Sequence, residues 1–118
     1  MGKSQRTKGA TAEREFTTIL SEQLGQVVKR KLGQSREGGD DVQVQNFRFE
    51  VKRRETLALP AWCRQVEAAC AGDPDAVPVV AYRQNGQPWR VVLKLSDFLP
   101  LMAGELRSDK GVDTISTQ

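Results

Sequence analysis

The sequence predicts an α/β domain with a central mixed sheet flanked by helices, and three observations carry that prediction. Apolar residues recur at helical spacing after Thr11 and again after Pro60, the mark of a helix with one buried face. Residues Asp41–Lys52 alternate apolar and polar in two short runs separated by Gln45-Asn46, which reads as a β-hairpin. Residues 77–82 (VPVVAY) are apolar on both faces, as in a central strand, and Asn85-Gly86 then supplies a strong hairpin turn. The chain has 118 residues, room for one domain at about 100–200 residues each. Its 38% apolar and 28% charged residues suit a modest core inside a solvated surface rather than a disordered chain.

Each element has its own justification. Residues 1–9 are polar and basic and are expected to form a flexible N-terminal arm, with the domain proper at 10–106. A helix is predicted from Thr11 to Leu24, stopped by Gly25. An extended stretch, Gln26–Leu32, and a glycine-rich loop, Gly33–Gly39, lead into the hairpin strands around Val42–Val44 and Phe47–Lys52. Leu59, Trp62, Cys63, Val66 and Cys70 then share a helix face, with Pro60 in its first turn and Gly72 at its end. A strand at 89–93 follows the Asn85-Gly86 turn, Ser96 is placed to cap a last helix reaching Leu106, and residues 107–118 read as a disordered tail. The order is αβββαββα.

Composition removes much chemistry. The chain holds no histidine, which excludes Ser/His/Asp and Cys/His triads, Cys2His2 fingers and histidine general bases. Any catalysis must use carboxylates, Lys, Ser, Tyr or Cys. Cys63 and Cys70 lie about 10 Å apart along a helix, too far for a disulfide, and read as reduced core thiols. The longest apolar runs fall far short of the roughly 20 residues of a membrane span, and no secretory leader is visible, so a cytoplasmic protein is expected. Residues 1–54 carry 12 Lys/Arg against 7 Asp/Glu, net +5, whereas residues 55–118 carry 6 against 8, net −2. That asymmetry, with a pI near 9.1, fits either a soluble basic protein or one with a polyanionic partner, nucleic acid first.

The placement of the acids is more telling. On the first helix, with Ala12 at the origin, Phe16, Ile19, Leu20 and Leu24 span an arc from about −20° to about 120°, and Glu13 falls inside it at about 100°. Arg14 and Glu15 fall on the solvent side. A carboxylate among core-facing positions is costly unless paired or beside a metal. In the hairpin, Phe47, Phe49 and Val51 share one face while Arg48, Glu50 and Lys52 share the other. A two-residue loop at Gln45-Asn46 pairs Val44 with Phe47 and Val42 with Phe49, leaving Asp41 opposite Glu50, with Cβ atoms about 5 Å apart where like charges repel. Lys52 or a hard divalent cation can relieve that repulsion. A four-residue loop would instead set Asp41 against Lys52 as an ordinary salt bridge. Asp40 points to the other face in this register, as a turn residue and second-choice acid. Ser35 and Arg36, with Lys29, Arg30, Lys31, Arg53 and Arg54, form a candidate track for a DNA phosphate backbone. Trp62 and Trp89 read as core or dimer contacts.

Taken in order, Lys8-Gly9…Glu13-Arg14-Glu15, Gly39-Asp40-Asp41-Val42 and Glu50-Val51-Lys52 resemble the PD-(D/E)XK nuclease superfamily. Among its members they are most similar to archaeal-type Holliday junction resolvases, although Asp40 stands where the pattern has proline. The resemblance covers residues 7–70 and implies a restriction-endonuclease-like αβββαβ core. It further implies a Mg²⁺-dependent DNA endonuclease, Mn²⁺ substituting, with no organic cofactor, that resolves four-way junctions as a homodimer and leaves 5′-phosphate ends. The implied metal ligands are Asp41, Glu50, the Val51 carbonyl and Glu13. Lys52 would orient or deprotonate water, and Gln65 occupies the position of an active-site amide, although a surface amide explains it as well. The DNA-contacting set is Lys8, Arg14, Arg30, Ser35, Arg36, Arg53 and Arg54. A small nuclease of this type would suit a phage or mobile element. Two other readings stay open: a related nuclease acting on flapped, nicked or duplex DNA, and a non-catalytic DNA-binding protein that keeps the fold.

Overall fold

In the computed structural model, which describes residues 2–31 and 40–117, with side chains for 9–31 and 40–108, three helices flank a four-stranded mixed sheet. The elements run α1 (Gly2–Leu24), β1 (Val42–Val44), β2 (Phe47–Arg53), α2 (Leu59–Ala69), β3 (Val77–Arg83), β4 (Arg90–Val92) and α3 (Leu95–Thr117). Strand order follows the chain, β1-β2-β3-β4. The outer pairs are antiparallel and β2 lies parallel to β3. The parallel step needs a crossover, and α2 supplies it.

The two-residue hairpin forms as the alternation requires. Val42 pairs with Phe49, Gln43 with Arg48 and Val44 with Phe47, while Gln45 takes the left-handed turn conformation at φ 53°. Each sheet face then receives one helix. Ala12 and Phe16 of α1 pack against Val42, Val51 and Ala81, with Phe49 and Trp89 beside them. The Phe16 ring meets Phe49 edge-on at 5.1 Å and Trp89 at 5.2 Å. On the opposite face Trp62 and Val66 of α2 cover Val80, with Tyr82 and Val92 at the margin. Cys63 and Cys70 are free thiols, and burial pushes both thiols above their ordinary pKa.

Four local expectations change. Residues 2–9 continue α1 rather than forming an arm, because Lys, Ser, Gln and Arg tolerate a helix and Gly9 costs only about 1 kcal/mol within one. The stretch 26–31 contributes one bridge, Arg30 to Val42, and not a strand. The Lys31 amide donates to the Asp41 carbonyl at 2.7 Å beside it. Ser96 lies inside the first turn of α3 and does not cap it; the Asp97 and Phe98 amides donate to the Lys94 carbonyl at 2.9 and 3.0 Å, so the helix starts one residue early. Finally, α3 runs on past Leu106 to Thr117, since no residue after Pro100 is barred from helical geometry.

No helix among the described residues is long and apolar enough to cross a membrane. The radius of gyration is 16.5 Å, against about 13.5 Å for a compact domain of this length. Part of the chain therefore stands away from the body, and α3 is the element with the sparsest contacts to the rest.

Candidate active site

Period-two geometry puts Arg48, Glu50 and Lys52 on the α2 side of β2, one of the two inner strands of the sheet. Glu50 is buried at 4% exposure. Its Oε2 lies 3.1 Å from Lys52 Nζ, and its Oε1 is buried with no hydrogen-bond partner among the described residues. Lys52 is held in turn beneath α2, its Nζ 6.0 Å from the centre of the Trp62 ring, within cation–π range.

Asp41 sits one residue before β1, where its amide donates to the Phe49 carbonyl at 2.8 Å. Its Oδ2 accepts from the Val51 amide at 2.8 Å, so the carboxylate reaches across onto β2 next to Glu50. Burial, then repulsion from Glu50, drives the Asp41 carboxyl up to about 7. The Val51 hydrogen bond and the charge of Lys52 oppose that rise, and Glu13 adds to it. Glu50 is also raised, first by burial and then by Glu13 and Asp40, against the pull of Lys52. Two acids held together with their charged forms disfavoured are a common sign of a functional site.

Glu13, inside the apolar arc of α1, is half-buried and paired through Oε1 with Arg30 at 3.1 Å. It lies close enough to influence both Asp41 and Glu50. Among the described residues, no group of three or more His, Cys, Asp or Glu is arranged to hold a metal ion. Asp41 and Glu50 are thus a pair, with Glu13 turned onto a guanidinium. What the pair offers a hard cation is the orphaned Glu50 Oε1 and mutual repulsion that such an ion relieves.

The other candidates scatter. Gln65 is exposed on α2, and Arg14 is exposed on α1. Arg53 donates to Asn85 Oδ1 at 3.0 Å and Arg54 to the Arg53 carbonyl at 3.0 Å, at the far end of β2. Ser35 and Arg36, and the side chain of Lys8, lie outside the described residues.

Two acids behave otherwise than the sequence pattern suggests. Asp40 joins the Arg48 face, because regular alternation begins only at Val42. Its Oδ1 accepts from Arg48 Nη2 at 2.7 Å and Nε at 3.1 Å, and Lys31 Nζ stands 3.0 Å from Oδ2. Burial works to raise Asp40, yet the hydrogen bonds from Arg48 and Lys31 prevail and hold it below the usual carboxylate value. Glu15, expected in solvent, instead accepts from Trp89 Nε1 at 3.1 Å and pairs with Arg83 at 3.3 Å, pinning α1 to the far strands. Period two already set Arg48 beside Glu50, so its role was open to sequence reasoning. Glu15's role was not, because Arg83 and Trp89 lie about 70 residues away in the chain.

The motif segments Glu13-Arg14, Asp41-Val42 and Glu50-Val51-Lys52 thus meet around one pair of strands. No curated protein matches the sequence. A family model described as "Phage putative PDDEXK endonuclease" matches residues 4–117, which spans α1 through α3, and the chain belongs to that endonuclease family.

Proposed function

We propose that the protein is a divalent-metal-dependent DNA endonuclease, using Mg²⁺ with Mn²⁺ as substitute, that cuts branched DNA as a homodimer. The observation that carries the reading is the buried Glu50 Oε1, without a hydrogen-bond partner among the described residues, beside an Asp41 carboxyl driven up to about 7. Asp40 is met by two cations, Arg48 and Lys31, whereas Asp41 and Glu50 have one lysine between them. A non-catalytic DNA-binding domain has no use for two adjoining acids that share a single lysine.

Asp41, Glu50 and the Val51 carbonyl would hold the cation. When bound, it supplies charge neutralisation at the scissile phosphate and a more acidic water. The chain's own groups do the rest. Lys52, 3.1 Å from Glu50 Oε2, keeps an ammonium at the site to orient the attacking water or to steady charge on the phosphate. Trp62 shields that ammonium from solvent on the α2 side. Arg30, fixed by Glu13, adds positive charge at the margin where a DNA backbone would approach. The preference for branched DNA is supported by the likeness of the Lys8-Gly9…Glu13-Arg14 segment to junction resolvases. The dimer is supported by the need for two sites to cut two strands.

Purified protein incubated with labelled four-way junction or matched linear duplex, with Mg²⁺ or EDTA, tests each layer. Paired nicks in the junction alone, dependent on Mg²⁺ and absent with Glu50→Gln, are the expected result. Equal cutting by wild type and Glu50→Gln would remove the site assignment. Equal cutting of both DNAs would remove only the branched-DNA preference.

A further inference from the structure

Helix α3 carries an apolar stripe that the fold leaves uncovered. Leu95, Leu99, Met102 and Leu106 are 67%, 46%, 41% and 58% exposed. Their spacing of four, three and four residues places them within about 60° of arc on a helix, and Phe98 extends one edge. The half-buried residues of this stretch, Asp97, Ala103 and Gly104, centre roughly 140° of arc from the middle of the stripe, so the stripe points away from the body. The alternation of four and three is that of a two-helix seam, whose natural complement is a second helix of the same pattern. Within this chain the apolar faces of α1 and α2 are already engaged with the sheet. No described element remains to cover α3.

We infer that α3 is the face through which two copies of this chain pair, stripe against stripe about a two-fold axis. The area fits: the five exposed side chains amount to roughly 450 Å² per copy, so pairing buries about 900 Å² of side-chain surface before backbone is included, near the roughly 1,000 Å² that a specific interface requires. A symmetric contact of this kind is self-complementary and closes at two copies. The seam shares no residue with the Asp41–Glu50 site. The paired chains would therefore carry two copies of the site. This interface gives the homodimer of the proposed function its surface, and it rests on that reading only for its purpose, not for its existence.

The test is sedimentation equilibrium on the full chain, wild type against Leu99→Glu and Leu106→Glu, with Val27→Glu as a control at an exposed apolar residue outside α3. Wild type and Val27→Glu should sediment as dimers. Both α3 variants should keep the wild-type circular dichroism spectrum and sediment as monomers, with the dissociation constant raised on the order of 100-fold, because each substitution strikes the seam twice. A wild-type monomer at 50 μM, with or without another partner for α3, would overturn the inference, and so would α3 variants that stay dimeric. A variant that unfolds is replaced by Met102→Lys, read in the same way. Failure here is distinct from failure of the nuclease reading: a monomer that cuts DNA refutes only the seam, and a dimer without nuclease activity refutes only the enzyme.

Discussion

Replacing Asp41 by Asn should make the metal-free protein more stable while abolishing its response to metal. Asn keeps a side-chain oxygen to accept from the Val51 amide, which Asp41 does at 2.8 Å, and removes the charge that burial and Glu50 disfavour. The sign follows from proton binding. Asp41 titrates near 7 in the native state against 3.8 for the ordinary carboxyl, so between those values the native state holds a proton that the unfolded chain has released. Native stability therefore falls as pH rises through that window, and the loss is complete above about pH 7. Three pKa units correspond to about 4 kcal/mol at 1.36 kcal/mol per unit. At pH 8 in EDTA the variant should melt higher than wild type by about 12–24 °C, since each kcal/mol moves a domain of this size by about 3–6 °C. The gain should shrink to less than half by pH 5. Added Mg²⁺ should stabilise the wild type by up to about 2.7 kcal/mol at a hundredfold excess over Kd, raising its midpoint, and leave the variant unmoved. Differential scanning fluorimetry at pH 5 and pH 8, with EDTA or Mg²⁺, reads all four conditions. A variant less stable than wild type at pH 8 in EDTA would refute the reasoning, since it would mean that the folded chain welcomes the Asp41 charge.

Three further outcomes follow from particular contacts. Lys52→Ala should reduce Mg²⁺-dependent cleavage by about 100-fold or more with junction binding retained, as compared by gel shift and by nicking rate; loss of binding in proportion to cutting would make Lys52 a mere anchor. Arg48→Met should destabilise the fold by about 3 kcal/mol, because it strips the buried Asp40 of its main partner, and urea denaturation should show Asp40→Asn in the same background recovering part of the loss. Phe16→Ala should cost about 3–5 kcal/mol by opening the contact between α1, Phe49 and Trp89; a midpoint shift under a third of that in urea would show that α1 is not seated on the sheet.

The hairpin was legible in the sequence because two independent constraints agree there. Alternation fixes which residues share a face, and a two-residue loop fixes the register, so Val42 opposite Phe49 leaves little freedom, and Asp41, one residue before the strand, is carried onto β2 at Val51. The helices on either face were legible for the same reason, from Phe16 on one and from Trp62 and Val66 on the other. What could not be read was set by contacts distant in the chain or by the ends of elements. Glu15 finds Arg83 and Trp89 only after the sheet has formed. Asp40 falls just outside the regular strand, where alternation no longer governs direction. The extent of α1 and α3 beyond their apolar patterns depends on helix continuation, to which periodicity is silent.

Asp40 and Asp41 are neighbours in the chain, yet the fold treats them in opposite ways, and that contrast is the strongest argument for where chemistry happens. Asp40 is the more deeply buried, and it is met by Arg48 and Lys31 and held below the usual carboxylate value. Asp41 is met by one backbone amide and by the charge of a second acid, and it is raised. Burial raises both carboxyls and is the largest influence on each; at Asp40 the hydrogen bonds from Arg48 and Lys31 outweigh it, whereas at Asp41 the charge of a second acid adds to it. Cations for neutralising Asp41 are close at hand, yet Lys52 is given to Glu50 and Arg30 to Glu13. Selection for stability alone would have spread those cations otherwise, because two adjoining acids that share a single lysine cost more than they return. The residual negative charge on Asp41 and Glu50 makes sense if the partner is supplied from solution.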